Sequence, residues 1–569
     1  MGLSSPLKMT GGVALSSMSN FLLIDPRDNL AVALQTIPVG TVVTIGDNTF
    51  PVVSEIPAKH KFTTETFPEG HRAIQYGVTV GVASTSIEKG GLISTGNLSF
   101  AADSFSVSER SRERPQWVPP ATDHLADLSF QGIRREDGSV GTGNYWLVIP
   151  LVFCETRNIE AMKNAFEKAL GYGRTSHYER FVKDLAGKYS ESHDVGTLEE
   201  VKCGDSEQTM GRSSLFPNVD GIKFLTHQMG CGGTRDDSRA LCSLLAGYIT
   251  HPNVAGATVL SLGCENAQAS DLLEEIEKRT PGFSKPLHIL KQQEFSGEKS
   301  LLETAIRKTF VGLTEANNVA REAFPLSELT IGVECGGSDG FSGISANPVI
   351  GHLSDLVVAM GGKIILSEFP ELCGVEQELI ERCVTDEVAT RFADITNRYA
   401  KRAEAVGSHF SQNPSPGNIK DGLITDAIKS AGAAKKGGTS PVVDALDYPE
   451  KVTEPGLNLL CTPGNDVEST TGLAGAHANL ILFSTGLGTP TGNPVCPVIK
   501  VSSNTDLATR LSDIIDFDTG GVIDGSATIE SLAEELLKLS IEVASGRSLT
   551  KAQQLGQDDF IPWKRGVSL

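Results

Sequence analysis

From about residue 130 onward, short apolar runs rich in β-branched residues alternate with helical stretches. At least four of those runs end directly in loops of Gly, Asn, Asp, Ser and Thr. LTIGV runs into ECGGSDGFSG, KIILS into EFPELCG, LNLLC into TPGNDVESTTG and NLILFS into TGLGTPTGNP. ATVLSL runs into GCENAQAS, and NYWLVIPLVF leads to the helical stretch NIEAMKNAFEKAL. Runs this apolar read as strands buried on both faces, the pattern of α/β units with mainly parallel sheets. Ligands of open α/β sheets bind outside the carboxyl ends of the strands. Glycine there lets a backbone N–H approach an anion, and the polar side chains supply donors and acceptors. Several such loops together predict a site for a small polyhydroxylated or carboxylated molecule. For any single loop the alternative is that glycine simply makes the turn.

The rest of the chain divides around that block. Residues 21–103 alternate apolar and polar around tight turns (VGTVVTIGDNTFPVV, AIQYGVTVGVAST) and predict a small β module. Residues 104–128, with Pro119-Pro120 and mixed charge, read as a linker. Two α/β domains then span 129–296 and 300–569, ending in the amphipathic helix SLAEELLKLSIEVASG with Gly546 as its C-cap. Three or four domains suit 569 residues at about 100–200 residues each. No repeat of fixed period stands out. Residues 1–20 read as a loose, disordered leader, or as a start placed too early with Met18 the true start, a signal peptide being the weaker alternative.

Composition narrows the function classes. Lys+Arg is 49 against 70 Asp+Glu, a net charge of −21, which argues against nucleic acid and anionic membranes as partners. No apolar run approaches the roughly 18 residues of a membrane span. The ten cysteines are scattered without a CxxC, as in a reduced cytoplasmic protein. Each is by default a small buried hydrophobe, but Cys231, Cys264 and Cys335 stand in Gly-rich polar loops. An acidic surface is compatible with a homo-oligomer.

Individual loops carry the candidate chemistry. Glu334 and Asp339 flank Cys335-Gly336-Gly337-Ser338, so a carboxylate there could ligate a metal or orient a base. The alternative is a turn with Ser338 or Asp339 capping a helix. His227, Cys231, Asp236 and Asp237 share the loop THQMGCGGTRDD, where a thiol–imidazole pair is conceivable but spacing alone cannot assemble it. Asn413-Pro414-Ser415-Pro416-Gly417-Asn418 is a rigid polar loop that could hold side chains on a ligand or act as a connector. No P-loop or dinucleotide fingerprint is present.

Taken in order, THQMGCGGTRDD (226–237), HPNVAGATVLSLGCEN (251–266), ECGGSDGFSGISANP (334–348), NPSPGN (413–418), TPGNDVESTTGLAGAHANLILFSTGLGTP (462–490) and DFIPWKRG (559–566) resemble the altronate/galactarate dehydratases. The altronate branch is the nearer, through GLNLLCTPGND and IDFDTG, and the resemblance runs from about residue 27 to the C-terminus. It implies a β-clip domain of the SAF type over 21–103, two α/β domains, a divalent metal (Fe2+ or Mn2+), and dehydration of a small-molecule sugar acid, altronate giving 2-keto-3-deoxygluconate. Its implied catalytic residues are His60, Asn97 and Lys436, and its implied metal ligands are His60, Glu334 and Asp339. His227, Cys231, Asp236, Ser338, Asn413, Ser415, Asn418, Thr485 and Gly486 would contact substrate.

The sequence also departs from the family pattern. Gly-His-Lys reads Lys59-His60-Lys61, and His-x-His-Asn reads Ser94-Thr95-Gly96-Asn97. An Arg is lost at Gly143 and another at Leu487, and Lys-Ala-Gly-Gly reads Ile419-Lys420-Asp421-Gly422. Each change removes a cationic or ligating group while the glycine scaffold stays, and Arg is a preferred carboxylate partner. The fold and a polar pocket are expected to persist, with activity on altronate open. The competing readings are a catalytically impaired paralogue acting as a sugar-acid-binding or scaffold subunit, and a lyase on another small hydroxy acid such as sulfolactate.

Overall fold

A computed structural model describes residues 20–111, 116–172, 177–204 and 215–568. The leader expected over 1–20 lies, but for its last residue, outside them. The chain is multidomain α/β, with a small β module followed by two units built on parallel sheets.

In the N-terminal module, Leu30–Ala33 pairs antiparallel with Lys61–Thr63. Two tight hairpins, Val42–Ile45 with Asn48–Pro51 and Arg72–Gln75 with Val78–Ala83, flank that pair. A repeat that the sequence pattern hides becomes visible here. Residues 37–40, 56–59, 67–70 and 87–90 make the same turn, bridged Ile37 to Ile56 and Phe67 to Ile87. The last residue of each turn has positive φ: Gly40 at 81°, Lys59 at 74°, Gly70 at 82° and Gly90 at 82°. The copies read IPVG, IPAK, FPEG and IEKG but start at residues 37, 56, 67 and 87, so their uneven spacing leaves no fixed period in the sequence.

The expected linker is pinned rather than loose. Ser106 N donates to Gln377, and the Arg110 guanidinium reaches Ile380 O, Cys383 O and Asp386 on the C-terminal unit.

The middle unit is a four-stranded parallel sheet of β1 (Tyr145–Pro150), β2 (Gly221–Phe224), β3 (Val254–Ser261) and β4 (Leu287–Lys291), in the order β2–β1–β3–β4. Its boundary differs from the expected 296–300. Helix Glu298–Ala316 lays Leu301, Ala305 and Leu313 against Trp146, Val148 and Leu260. The unit therefore closes after this helix; the sequence shows an apolar face but not which sheet it covers. Glu322–Pro325 then returns to pair with Ser129–Arg134.

The C-terminal unit is a seven-stranded, all-parallel sheet: β5 (Thr330–Cys335), β6 (Lys363–Leu366), β7 (Val442–Leu446), β8 (Gly456–Leu460), β9 (Leu480–Thr485), β10 (Val498–Ser502) and β11 (Phe517–Asp518). Its order is β7–β8–β6–β5–β9–β10–β11. The chain winds from β5 to one side and comes back to β9 on the other, so the carboxyl end of β5 is the switch point where such sheets open a crevice. The tail crosses back to the middle unit, where Arg565 N and Gly566 N donate to Asp237 Oδ1 at 2.8 and 3.0 Å. No helix among the described residues is long and apolar enough to cross a membrane.

Candidate active site

β5 delivers Glu334 and Cys335 to the switch point, and the turn after β6 delivers Glu368 and Glu371 beside them. All four side chains are buried. Glu334 Oε2 accepts from Ser367 Oγ at 2.8 Å and Ser469 Oγ at 2.6 Å. Cys335 Sγ donates to Glu371 Oε2 at 2.9 Å, and Cys335 N donates to Glu368 Oε2 at 3.0 Å. Two lysines close the cluster. Lys436 Nζ lies 3.0 Å from Glu368 Oε2, and Lys429 Nζ lies 2.6 Å from Glu371 Oε1 and 2.5 Å from Asn413 Oδ1.

Protonation follows from burial and neighbours. Burial and the Glu368 charge push Glu334 well above the usual carboxylate range, so it keeps its proton. Burial and the Glu371 charge raise Glu368 against the pull of Lys436. For Glu371 burial acts upward too, but Lys429, Lys436 and the Cys335 thiol outweigh it and hold the group below its ordinary value. Asp466, at the start of helix Asp466–Gly475, is pushed by burial and by Glu368 and Glu371 up to about 7. Burial drives the Cys335 thiol well up. Burial acts downward on both lysines, but the surrounding acids dominate and keep them charged.

Cys335, Glu368 and Glu371 each offer a ligand atom, all within 4.8 Å of one another, the one such group among the described residues. A divalent cation does not fit them as they stand. Glu368 and Glu371 already face two ammonium groups, and only Glu368 Oε1 among their carboxylate oxygens lacks a hydrogen-bond partner. A further double charge would meet repulsion from Lys429 and Lys436 at contact distance.

Beside the cluster lies a cleft of about 230 Å³ lined by Tyr399, His409, Phe410, Gln412, Asn413 and Gly464, among others, and it adjoins the cluster through Asn413 and Gly464. Asn413 holds Lys429, and Gly464 packs directly over Glu371.

The loop after Cys335 leads to the N-terminal module. Asp339 is fully buried and lies 2.9 Å from Lys59 Nζ. Its Oδ1 accepts from Ser342 N, Ser342 Oγ and Ser503 Oγ, each at 2.9 Å. Lys61, also buried, donates to Gly422 O at 2.7 Å, and burial pushes it down to about 7. A side chain on Gly340 or Gly422 would collide with Lys59 O, 2.3 Å from either added Cβ. Lys59 thus adopts a conformation that its three sister turns give to glycine, and does so where it reaches across the interface. A left-handed non-glycine residue costs about 1–2 kcal/mol. Lys59→Gly and Lys59→Met both remove the ammonium, but only glycine releases the backbone. Lys59→Gly is expected to be the more stable of the two by about 1 kcal/mol in urea unfolding; equal stabilities would contradict the strain.

Of the residues singled out in the sequence, Glu334, Lys436 and Asn413 come together in the cluster. His60, Glu334 and Asp339 do not form a ligand set. Asp339 is spent on Lys59 and its own turn, Glu334 on Ser367 and Ser469, and His60 Nδ1 lies 3.3 Å from Ala58 O. Asn97 closes a turn of the β module, accepting from Ser94 N at 2.8 Å and donating to Leu92 O at 2.8 Å. Ser415 caps helix Pro416–Lys420, and Asn418 ties that cap to Ser338 O at 2.8 Å. Thr485 Oγ1 accepts from Gly488 N at 2.8 Å, and Gly486 packs against Asp339. His227, Cys231 and Asp236 stand apart on the middle unit. His227 is buried between Pro150 O and Met229 N and pushed by burial down to about 4, so it is a neutral structural group. Asp236 is exposed beside Arg239, 3.5 Å away. Glu368, Glu371, Lys429 and Asp466 escaped the sequence reading. EFPELCG follows a strand and carries two carboxylates three residues apart, which was the available signal.

Family models match the chain in three consecutive stretches. They are the altronate/galactarate dehydratase SAF domain over residues 19–101, the D-galactarate dehydratase/altronate hydrolase second domain over 132–317, and the D-galactarate/altronate dehydratase C-terminal region over 326–568. The altronate dehydratase of Escherichia coli K12 is 33% identical over 550 residues, covering 96% of this chain and 100% of that protein. The altronate dehydratase of Bacillus subtilis 168 is 32% identical over 555 residues, covering 97% of this chain and 100% of that protein. The L-threo-forming galactarate dehydratase of E. coli K12 is 29% identical over 542 residues, covering 94% and 95%.

Proposed function

The chain belongs to the D-galactarate/altronate dehydratase family, and on that premise we propose that it removes water from a sugar acid, with altronate the first candidate and 2-keto-3-deoxygluconate its product. The observation that carries this reading is the split between two carboxyl groups at one sheet edge. Glu371 is held ionised by Lys429, while Asp466 is pushed up to about 7. Environments that drive two carboxyls apart assign the base and the acid.

The sugar acid enters beside Asn413 and Gly464. Glu371 takes the proton α to the substrate carboxylate, and Asp466 gives its own to the departing β-hydroxyl, which leaves as water. A proton α to a carboxylate is only weakly acidic, so the enediolate formed needs nearby positive charge. Lys429 provides it at the base itself. A proton then passes from Glu371 to Asp466, through water, to restore the starting state. Lys59 offers a cation near Gly486, beside the position where the family pattern has an Arg and this chain has Leu487.

Turnover should fall as pH rises through about 7, when Asp466 loses its proton. It should fall again in acid, below the ordinary carboxylate range, when Glu371 takes one up. Asp466→Asn is expected to be slow and to lose the alkaline limb of kcat/KM; an unchanged limb would remove Asp466 from the acid's role.

The direct test is product analysis with altronate, galactarate and sulfolactate. A 2-keto-3-deoxy acid from an aldonate or aldarate is expected. Sulfite alone would transfer the reading to another lyase, and tight binding without any product would make the chain a binding or scaffold subunit.

A further inference from the structure

All ten cysteines are free, and three of the exposed ones, Cys154, Cys231 and Cys264, gather at the carboxyl edge of the four-stranded sheet. They follow β1, β2 and β3, which are neighbours in the order β2–β1–β3. Free cysteine is ordinarily among the most buried of residues, so three exposed thiols on one edge need a reason. Backbone bonds stitch their loops together. Phe153 N donates to Met229 O at 3.0 Å, and Asn266 N and Ala267 N both donate to Gly230 O, at 2.8 and 3.1 Å. Asn266 Nδ2 reaches Cys231 O at 2.5 Å. Each cysteine lies within two residues of a tie to its neighbour's loop.

Two further observations mark the place as built. Cys231 and Cys264 each follow a glycine at positive φ, Gly230 at 101° and Gly263 at 116°. A Cβ there would lie 2.4 Å from Leu151 O and 2.5 Å from Gln293 Oε1 respectively. Only glycine makes such turns without strain. Next to Cys154, Glu155 is fully buried, and its Oε1 has no hydrogen-bond partner.

We propose that Cys154, Cys231 and Cys264 bind an iron–sulfur cluster through three thiolates, leaving one iron without a protein thiolate. Spacing argues against a single ion with the side chains as they stand. Three thiolates on one tetrahedral ion, with bonds of about 2.3 Å, lie about 4 Å apart. These sulfurs do not all lie within 4.8 Å of one another, since the one such group among the described residues is elsewhere. A cubane holds its cysteines on separate irons and therefore wider. Soft thiolates select iron–sulfur clusters over hard cations. Binding a preassembled cluster releases three thiol protons and breaks no bond in the chain. The assignment is independent of the dehydratase reading and has its own readouts.

The test is anaerobic reconstitution of the full chain with ferrous and ferric iron and sulfide, followed by removal of unbound ions. Retention of about four iron and four sulfide per chain is expected, with a broad visible absorption that oxygen bleaches. Cys154→Ser, Cys231→Ser and Cys264→Ser should each lose most of the iron, sulfide and colour, while Cys203→Ser, exposed outside these loops, keeps them. Circular dichroism of the cluster-free proteins separates loss of ligands from loss of fold, and alanine replaces serine at any position where the serine variant unfolds. Iron or zinc held without sulfide, no retention at all, or contents unchanged in all three variants would overturn the proposal.

Discussion

Lys436→Met should destabilise the protein by about 3–5 kcal/mol, the cost of removing one partner from a buried ion pair. Lys436 and Glu368 are each about 1% exposed, with the ammonium 3.0 Å from the carboxylate. Methionine fills much of the space but leaves Glu368 and its neighbour Glu371 with Lys429 alone. Glu368 is already raised by burial and by Glu371, and the variant raises it further. The pH sign follows from that direction. A carboxyl raised in the folded state binds protons that the unfolded chain has released, so stability falls as pH rises between the unfolded and folded values. The penalty should be full above the raised folded value and shrink on acidification towards the ordinary glutamate range. Urea unfolding of both proteins at neutral and acid pH measures it. A loss below about 1 kcal/mol, in the range of a surface pair, would mean that the cluster is wetter than its burial indicates.

Glu371→Gln should cut kcat by about 10²–10⁴-fold, the usual contribution of a positioned base. Glutamine keeps an oxygen for Lys429 and a similar shape, but Lys429 loses its charge partner, so circular dichroism and sugar-acid binding are measured beside kcat to separate loss of the base from loss of fold. Loss of α-proton exchange with deuterated solvent should accompany the loss of turnover, because that exchange needs only the base. A variant that still exchanges the α-proton at the normal rate would place the base elsewhere. Glu334→Gln gives a useful contrast. Glu334 keeps its proton, so replacing a neutral carboxyl with a neutral amide should cost far less activity.

The parallel sheets and polar strand ends were legible because a strand buried on both faces must be apolar throughout, and the polar loop after it is then conspicuous. Glu334 and Cys335 were visible for that reason, and Asn413 because two prolines stiffen the polar loop NPSPGN. Lys429 was not, because it lies within helix Asp426–Ala433 and its partner Glu371 is 58 positions away in sequence. His227 misled for the opposite reason. Its polar loop suggested chemistry, but its ring is packed between two backbone groups. Asp339 looked like a metal ligand because a sequence shows a carboxylate without showing the Lys59 that pairs with it. Lys59 itself stands where the family pattern Gly-His-Lys has its glycine. Its meaning depends on a left-handed turn and a contact across a domain interface, neither of which residue spacing encodes.

The central claim is that the sugar acid is held at the carboxyl edge of the seven-stranded sheet. A crystal structure of the Glu371→Gln protein with altronate tests it most directly. The account predicts the bound acid beside Gly464 and Asn413, with its α-carbon facing residue 371 and its β-hydroxyl facing Asp466. Altronate bound instead at the Cys231 edge of the middle unit, with the Lys429–Asn413 cleft empty, would contradict it.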